Sequence, residues 1–264
     1  MKEINVELNE IEKFSALRER GIAPFFYKSI DSTNNEARRY AMEGGKAPAM
    51  FCAAAQTAGR GRMGRSFFSP QDTGIYMTLL LDITDDVPAS TVKLTSAAAV
   101  AVSGAIQRST GIELGIKWVN DLYLGGRKVC GILAESFFSD NRRYAVIGVG
   151  INLSTSDFPE ELSGVAGSLG LSDTDSIRDR LTEQICAELY DAYRRVTDGD
   201  LSYIEEYRAR SVVIGKRVTY TENGVSRRGL AVGVDDCGGL EIECDGGERR
   251  VLTSGEISLR LTEG

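Results

Sequence analysis

The chain has 264 residues, of which 31 are Lys or Arg and 38 are Asp or Glu, and it contains no histidine. Without histidine, serine–histidine and cysteine–histidine nucleophile systems, histidine-ligated zinc and imidazole acid–base chemistry are all excluded. The formal net charge of −7 disfavours a general binder of nucleic acids or anionic membranes. An enzyme made from this chain must use carboxylates, Lys, Arg, hydroxyls, thiols, backbone amides or a metal ion.

The length and the cysteine pattern indicate the class of protein. The length fits one large domain, with or without a small companion. No apolar run reaches the roughly 18 residues of a membrane-spanning helix, and the acidic start MKEINVELNEIEKF does not fit a secretory signal. The five cysteines are scattered and form no CxxC pair. We therefore expect a cytoplasmic protein without membrane contact, disulfide framework or structural zinc.

Predicted helices and strands alternate over most of the chain. They are, in order, a short charged helix within 1–22 that ends near Gly21, a strand at 25–30, a helix capped by Asp31 or Ser32 and closed by Gly44 and Gly45, buried strands at 50–57 and 75–83, a helix from Pro88 to about Thr110, a strand at 112–119, a hairpin at 122–138, a strand at 144–153, a loop-rich segment at 154–175, and helices at 176–197 and 200–210. Capping residues and three- and four-residue spacings predict the helices. Apolar runs bounded by glycine predict the strands.

The pattern changes from Val212 onward. Short β-patterned runs are separated by Asn-Gly at 223–224 and by Gly-Gly at 238–239 and 246–247. Such pairs are hairpin turn signals, so this region is predicted to form a small β-barrel of about fifty residues. The predicted division is a short helical segment at 1–22, a catalytic domain at 23–211 and the barrel at 212–264.

The segment from Gly59 to Arg65 alternates three glycines with three arginines between two buried strands. Glycine lets backbone amides approach a ligand closely and form an anion-binding nest. Arginine adds positive charge and forked donors suited to carboxylates and phosphates. The alternative is a solvated basic loop that contacts RNA. A single basic loop in an acidic protein favours a discrete anionic small molecule.

Three further segments carry polar side chains at the ends of predicted elements. Lys117, Asn120 and Asp121 lie at the end of a predicted strand, and hairpin pairing would bring Lys128 back to them. Such a set can hold phosphate and Mg²⁺. The alternative is that Asn-Asp is only an ordinary turn. The segment 31–35 (DSTNN) suits a helix cap and equally a polar neutral ligand group. Asn152 ends a buried strand just after a glycine, which alone indicates little.

Taken in order, the motifs DSTN, QTAGRGRMGR, FFSP, KWVNDLYLGGRKVCGIL and IGVGINL resemble those of the biotin protein ligases. The resemblance covers about residues 28–153, and the segment 254–260 (SGEISLR) is similar to that family's C-terminal domain. It implies an α+β fold in which a mixed sheet is flanked by helices, as in class II aminoacyl-tRNA synthetases. A small Src-homology-3-like β-barrel would follow at the C-terminus.

The resemblance also implies a two-step reaction. The carboxylate of biotin attacks the α-phosphate of ATP, with Mg²⁺ as activator, to give biotinyl-5′-adenylate and pyrophosphate. A lysine of a biotin carboxyl carrier protein then attacks the adenylate. No tightly bound prosthetic group is implied, and the chain would be a monomer or a homodimer. The first step needs no histidine because the carboxylate is already an anion near neutral pH.

The motifs assign each expected contact to a residue of this sequence. The residues expected to bind biotin are Ser32, Thr33, Asn34, Gln56, Arg60, Gly61, Arg62, Lys128 and Gly131. Those expected to bind ATP or its phosphates are Gly59, Arg62, Arg65, Phe67, Lys117, Asn120 and Asn152. The expected catalytic residues are Arg62, Lys128 and Asp121, and Asp121 is also the candidate Mg²⁺ ligand. The chain departs from the family at Val119, where proline is usual, and at Phe67, where tryptophan is common.

Three other functions are alternatives. Ligases and transferases of lipoate or octanoate share the fold but carry a motif histidine that this chain lacks. Biotin-responsive regulators carry an N-terminal DNA-binding domain, for which residues 1–22 are too short, so specific DNA binding is not expected. A non-catalytic module that binds biotin or RNA is the third, and both the acidic balance and the ordered motifs disfavour it.

Overall fold

The computed structural model describes residues 14–83, 91–222, 225–253 and 257–259. Its helices are α1 (Ser15–Glu19), α2 (Thr33–Met42), α3 (Thr91–Thr110), α4 (Thr174–Thr197) and α5 (Tyr203–Arg210). Its strands are β1 (Ala23–Tyr27), β2 (Ala49–Ala53), β3 (Gly74–Ile83), β4 (Gly115–Lys117), β5 (Asp121–Leu124), β6 (Arg127–Ser139), β7 (Arg142–Asn152), β8 (Arg217–Glu222), β9 (Val225–Val234), β10 (Leu240–Cys244), β11 (Arg249–Leu252) and β12 (Ile257–Leu259).

The first seven strands form one mixed sheet in the order β1-β2-β3-β7-β6-β5-β4. Only the β1–β2 pair is parallel, and α2 makes the crossover between these two strands. The remaining neighbours are antiparallel, with β6 and β7 paired over ten residues. The chain thus builds one edge first, passes through α3 to the other edge, and returns by a meander to β3.

Helices cover both faces of this sheet because alternate strand residues are apolar on each face. On β3, Ile75, Met77, Leu79 and Leu81 pack in the large core with residues of α3 and α4. The intervening Leu80 packs in a smaller core with Ala37 of α2. The helix α2 therefore lies on the face opposite α3 and α4, and its first turn adjoins the uncovered part of that face.

The last five strands form a small antiparallel sheet in the order β11-β10-β9-β8-β12. Its turns include Gly238 and Gly247, both at positive φ, where glycine is the favoured residue. The α+β fold with a small C-terminal β domain is therefore confirmed. Among the described helices, none is both long enough and apolar enough to cross a membrane.

Most predicted elements are confirmed with shifts of a few residues. The predicted strand at 112–119 is shorter, since only Gly115–Lys117 pairs. Residues 118–120 form a turn instead, and Trp118 and Val119 are each 3% exposed. The strand predicted at 25–30 ends at Tyr27, and Ile30 makes only an isolated bridge. Residues 1–13, Pro88 and the turn at 223–224 lie outside the described residues.

Candidate active site

A pocket opens on the face of the large sheet that also carries α2. It lies between the first turn of α2, the glycine–arginine loop (residues 56–70) and strands β6 and β7. Eleven residues predicted from the sequence line it together: Ser32, Thr33, Asn34, Gln56, Arg60, Gly61, Arg62, Phe67, Asn120, Lys128 and Gly131. The apolar part of the wall includes Met77 and Leu133. These eleven residues come from four separate segments of the sequence and meet in one place.

One end of the pocket is polar and uncharged. Ser32 is the N-cap residue of α2, but its side chain makes no capping hydrogen bond. Gln56 Oε1 instead accepts from the backbone N–H of Thr33 at 2.9 Å, and Gln56 Nε2 donates to Ser69 Oγ at 2.9 Å. The predicted cap position is correct, while the amide of a neighbouring loop satisfies the helix end. The Ser32 hydroxyl is thus not used by the helix.

Glycines on the central strands form the floor of the pocket. Gly131 of β6 pairs with Gly150 of β7, and Leu133 pairs with Gly148. A Cβ at Gly150 would lie 2.6 Å from the Phe67 ring, and one at Gly148 would lie 2.1 Å from Asn34 Oδ1. Because real Cβ atoms do not approach so closely, these glycines let both side chains lie directly on the sheet.

The glycine–arginine loop folds back on itself across the pocket. Gly61 N–H donates to the Arg65 carbonyl at 2.7 Å, and Phe67 N–H donates to the Gly59 carbonyl at 2.9 Å. The tip turns through Met63 and Gly64, both at positive φ. The loop is therefore a small hairpin whose backbone is held by its own hydrogen bonds.

Two arginines of this loop reach the opposite wall. Arg60 makes a forked interaction with Glu135 of β6, with N–O distances of 3.0 and 3.1 Å. Arg62 Nη1 donates to Asn120 Oδ1 at 3.1 Å, and Asn120 Nδ2 donates to the Ile132 carbonyl at 2.9 Å. The guanidinium groups are thus fixed along the rim rather than extended into solvent.

A second cationic group stands at the other side of the rim. Lys128 Nζ lies 2.6 Å from Asp121 Oδ1, as the paired strands β5 and β6 bring the two residues together. A Cβ at Gly131 would lie 3.2 Å from Lys128 Nζ, so this glycine leaves room for the ammonium group above the sheet. The sequence prediction that the hairpin returns Lys128 to the site is confirmed.

An adjoining depression continues from this rim and receives three more of the predicted residues, Arg65, Lys117 and Asp121. Lys117 Nζ donates to Tyr123 Oη at 3.3 Å. Burial is the main cause that raises the pKa of Tyr123, with the Asp121 charge adding to it. The tyrosine therefore stays neutral near pH 7, and the lysines and arginines give this depression its positive charge.

Two predicted residues lie behind the walls. Gly59 is buried, and a Cβ there would lie 2.4 Å from the Phe67 carbonyl. Asn152 is 4% exposed, and its Nδ2 donates to the Gly167 carbonyl at 2.9 Å, while its Oδ1 has no hydrogen-bond partner. Gly59 shapes the loop, and Asn152 leaves one buried acceptor atom unused.

The residues around Asp121 do not form a metal cage of their own. Within the described parts of the chain, no group of three Asp, Glu or Cys side chains is placed to hold a metal ion. The Asp121 carboxylate is already paired with Lys128. Since Mg²⁺ usually binds through one or two carboxylates together with substrate phosphates, the phosphates of a nucleotide would supply most of its ligands.

Sequence reasoning missed three residues that shape the site: Thr78, Glu135 and Gly148. Thr78 lies beneath Asn34, and Glu135 pairs with both Arg60 and Arg38. One available signal was the glycine alternation in IGVGIN, since two glycines on one face of a buried strand indicate close approach by another group. The partner residues depend on strand pairing, which no local motif reveals.

Comparisons with known proteins agree with this geometry. Residues 26–152 match the Biotin/lipoate A/B protein ligase family, and residues 213–260 match the Biotin protein ligase C terminal domain. The bifunctional ligase/repressor BirA of Bacillus spizizenii is 34% identical over 231 residues, which cover 85% of this chain and 70% of that protein. The biotin–[acetyl-CoA-carboxylase] ligase of Mycobacterium tuberculosis is 32% identical over 209 residues, which cover 76% of this chain and 75% of that protein.

A solved structure extends the similarity to the fold of both sheets. The biotin protein ligase from Aquifex aeolicus in complex with biotin and ATP has a TM-score of 0.75 and 25% identity, covering 90% of this chain and 98% of that one. Sequence, fold and pocket therefore agree that the chain belongs to the biotin protein ligase family.

Proposed function

We propose that this chain is an ATP-dependent ligase that activates biotin as biotinyl-5′-adenylate and transfers the biotinyl group to one lysine of a biotin carboxyl carrier protein. The observation that carries the proposal is the polarity of the pocket, which has an uncharged hydrogen-bonding end and a cationic rim. Biotin has the same two ends, a neutral ureido ring and a carboxylate. The Aquifex ligase of similar fold holds biotin together with ATP.

The uncharged end fits the ureido ring. The hydroxyls of Ser32 and Thr33 and the amides of Asn34 and Gln56 supply both donors and acceptors there. A ureido group presents N–H donors on both sides of a carbonyl acceptor, so this mixed set is complementary to it. Leu133, whose side chain lies on the pocket face of the sheet, would contact the thioether ring and the aliphatic chain.

The cationic rim fits the first chemical step. A carboxylate oxygen of biotin forms a bond to the α-phosphorus of ATP, and the bond from that phosphorus to the β-phosphate oxygen breaks, releasing pyrophosphate. The obstacle is the repulsion between two anions. Arg62 and Lys128 flank the place where they meet and lower this repulsion, and Arg65 and Lys117 lie where the departing pyrophosphate would pass.

The second step transfers the acyl group to nitrogen. The carrier lysine, as the free amine, attacks the carbonyl carbon of the adenylate, the bond to the phosphate oxygen breaks, and AMP leaves. The amine loses one proton. Asp121, at the rim beside Lys128, is the carboxylate placed to accept it, and its other proposed role is to position Lys128.

Phe67 is proposed to contact the adenine, and Asn152 to support this part of the site from behind the wall. The Phe67 ring lies over Gly131 and Gly150 and lines both the pocket and the adjoining depression, so the adenine ring is proposed to stack against it. Because phenylalanine is smaller than tryptophan, stacking here is expected to be weaker than in relatives with tryptophan at this position.

Several wider properties belong to the same proposal. All five cysteines are unpaired thiols, which fits a reducing cytoplasm. The net charge of −7 supports the absence of specific DNA binding, although the Bacillus relative is named a repressor as well as a ligase. The domain boundaries at 22–23 and 211–212, and a monomeric or homodimeric state, remain predictions.

Lipoate is disfavoured as substrate because it has no ureido group that could hydrogen-bond with the uncharged end of the pocket.

The proposal is tested by incubating the protein with a purified biotin carboxyl carrier domain, ATP, Mg²⁺ and biotin, and weighing the carrier by mass spectrometry. We expect the gain of one biotinyl group that requires both ATP and biotin, and no gain when lipoate replaces biotin. A carrier whose acceptor lysine is changed to arginine is the control. Modification of that control, or no modification of the natural carrier, would contradict the proposed function.

A further inference from the structure

Thr78 lies in the middle of β3, directly beneath the uncharged end of the pocket. Its side chain is fully buried, and Gly148 is its partner on β7. Thr78 Oγ1 lies 2.6 Å from Asn34 Oδ1 and 2.8 Å from Thr33 Oγ1. It thus contacts two residues proposed to bind biotin without lining the pocket itself.

The neighbours of Asn34 determine which way its amide points. On one side, Asn34 Nδ2 donates to Glu135 Oε2 at 3.4 Å. Glu135 is paired with Arg60 and Arg38, and a carboxylate in that state accepts hydrogen bonds and donates none. The amide nitrogen must therefore face Glu135, and the amide oxygen must face Thr78.

The contact at 2.6 Å then has a defined direction. Asn34 Oδ1 can only accept, so the Thr78 hydroxyl must donate its proton there. Gly148 makes this arrangement possible, since any side chain at that position would occupy the space of Asn34 Oδ1. The oxygen of the amide is thus tied to the sheet, one N–H is directed to Glu135, and the second N–H is left for the pocket side.

We infer that Thr78 is a positioning residue that determines ligand specificity: by holding Asn34 Oδ1, it makes Asn34 a hydrogen-bond donor towards the ligand. This inference rests on the proposed function, because it assigns Asn34 to the ureido carbonyl, an acceptor. A ligand with a donor at that place would meet a donor and be rejected.

The test compares biotin with 2-iminobiotin, in which a protonated guanidinium replaces the ureido group and its carbonyl acceptor is lost. Binding of each compound is measured by calorimetry for the natural protein, Thr78→Val and Thr78→Ser. Valine keeps the shape of threonine but removes the donor, and serine keeps the donor. Thermal unfolding and the KM for ATP are recorded for all three proteins.

Thr78→Val should bind biotin about tenfold or more weakly, because Asn34 Oδ1 loses its donor and the amide is free to turn. Its affinity for 2-iminobiotin should change by less than about threefold, since a turned amide offers that ligand an acceptor. Thr78→Ser should restore the preference for biotin. The KM for ATP should be unchanged.

Equal loss of both ligands in Thr78→Val, or an unchanged ratio of their affinities, would overturn the inference and leave Thr78 a packing residue. Failure of the natural protein to bind biotin at all would instead contradict the proposed function. If Thr78→Val does not fold, Thr78→Ser and the natural protein must still show the same ratio, and a serine variant that loses the preference for biotin also overturns the inference.

Discussion

At the scale of single residues, the site depends on glycines of the sheet, whose missing side chains leave room for the groups that line the pocket. Gly131 and Gly150 pair across β6 and β7, and the Phe67 ring lies over both. Gly148 gives the same freedom to Asn34. Side chains at these positions would lift both groups away from the sheet and into the volume meant for ligands.

Gly150→Ala tests this role. The new Cβ would lie 2.6 Å from an atom of the Phe67 ring, so the ring must move away from the sheet. We expect kcat/KM for ATP to fall about tenfold or more, and the free energy of unfolding to fall by at most about 1–3 kcal/mol, because the ring can move towards the open pocket. Gly246→Ala, at a position with nothing within 4 Å, is the control and should leave activity unchanged. An unaffected Gly150→Ala enzyme would show that the ring does not need its place on the floor.

Local motifs made much of the site predictable at this scale. The glycines and arginines of the segment 59–65 predict an anion-binding site by their chemistry alone. Thr78 and Glu135 carry no such signal, because a threonine and a glutamate in strands are ordinary residues. Their importance arises only when β3, β6 and β7 pair and bring them against Asn34 and Arg60.

At the scale of elements, α2 is the helix that places the polar end of the pocket. Asp31, just before the helix, accepts from Arg39 Nη2 at 2.6 Å and from Asn35 Nδ2 at 3.0 Å. Chiefly through the hydrogen bond from Arg39, these contacts hold the pKa of the Asp31 carboxyl well below its usual range. The side chain that fastens the start of α2 is therefore that of Asp31, while Ser32 remains available to the pocket.

Asp31→Asn should lower the melting temperature near pH 7. A carboxyl whose pKa is lowered by folding adds stability above its unfolded pKa, about 3.9, and loses it as the pH falls towards the folded value. The difference in melting temperature between the natural protein and Asp31→Asn should therefore narrow below about pH 4. Thermal unfolding followed by circular dichroism at neutral and acidic pH measures it. A difference that is constant or grows on acidification would contradict the assignment.

The element that sequence reasoning placed least well is β4. Its predicted residues 112–119 are apolar and β-branched enough for a long strand, but the structure ends it at Lys117. The chain turns there, and both residues after the strand make buried tertiary hydrogen bonds: Trp118 Nε1 donates to the Gly238 carbonyl in the turn between β9 and β10, and the Val119 carbonyl accepts from Tyr207 Oη of α5. Such tertiary contacts are invisible to a local pattern.

At the scale of the whole molecule, the turn between β9 and β10 of the C-terminal sheet stabilises the segment just before Asn120 and Asp121. Trp118, the single tryptophan of the chain, donates from Nε1 to the Gly238 carbonyl at 2.9 Å and is 3% exposed. Nearby, Arg208 pairs with the exposed Asp236 at 2.7 Å. A buried hydrogen bond and a surface ion pair thus connect the same two parts of the protein.

Trp118→Phe should lower the free energy of unfolding by about 1–3 kcal/mol, because the buried Gly238 carbonyl loses its donor. Asp236→Asn, the matched change at the surface, should cost only about 0–1 kcal/mol. Urea unfolding followed by circular dichroism gives both values. If the surface change costs as much as the buried one, the bracing role of Trp118 is wrong.

The division into an α+β part and a small β part was predictable from turn chemistry and periodicity, as at Gly238 and Gly247. The strand order was not predictable from local pattern, since β3 ends at Ile83 and its partner β7 begins only at Arg142. The family resemblance supplied what local physics could not, because it carries the tertiary arrangement with the motifs.

The most direct test of the central claim is exchange of labelled pyrophosphate into ATP, which reports the first chemical step without a carrier protein. We expect exchange that requires biotin and Mg²⁺ and falls about 10²-fold or more in Arg62→Ala and Lys128→Ala, which remove the cations at the reacting anions. Arg142→Ala, at an exposed surface ion pair, should exchange normally. Exchange without biotin, or full exchange in Arg62→Ala and Lys128→Ala, would contradict the account.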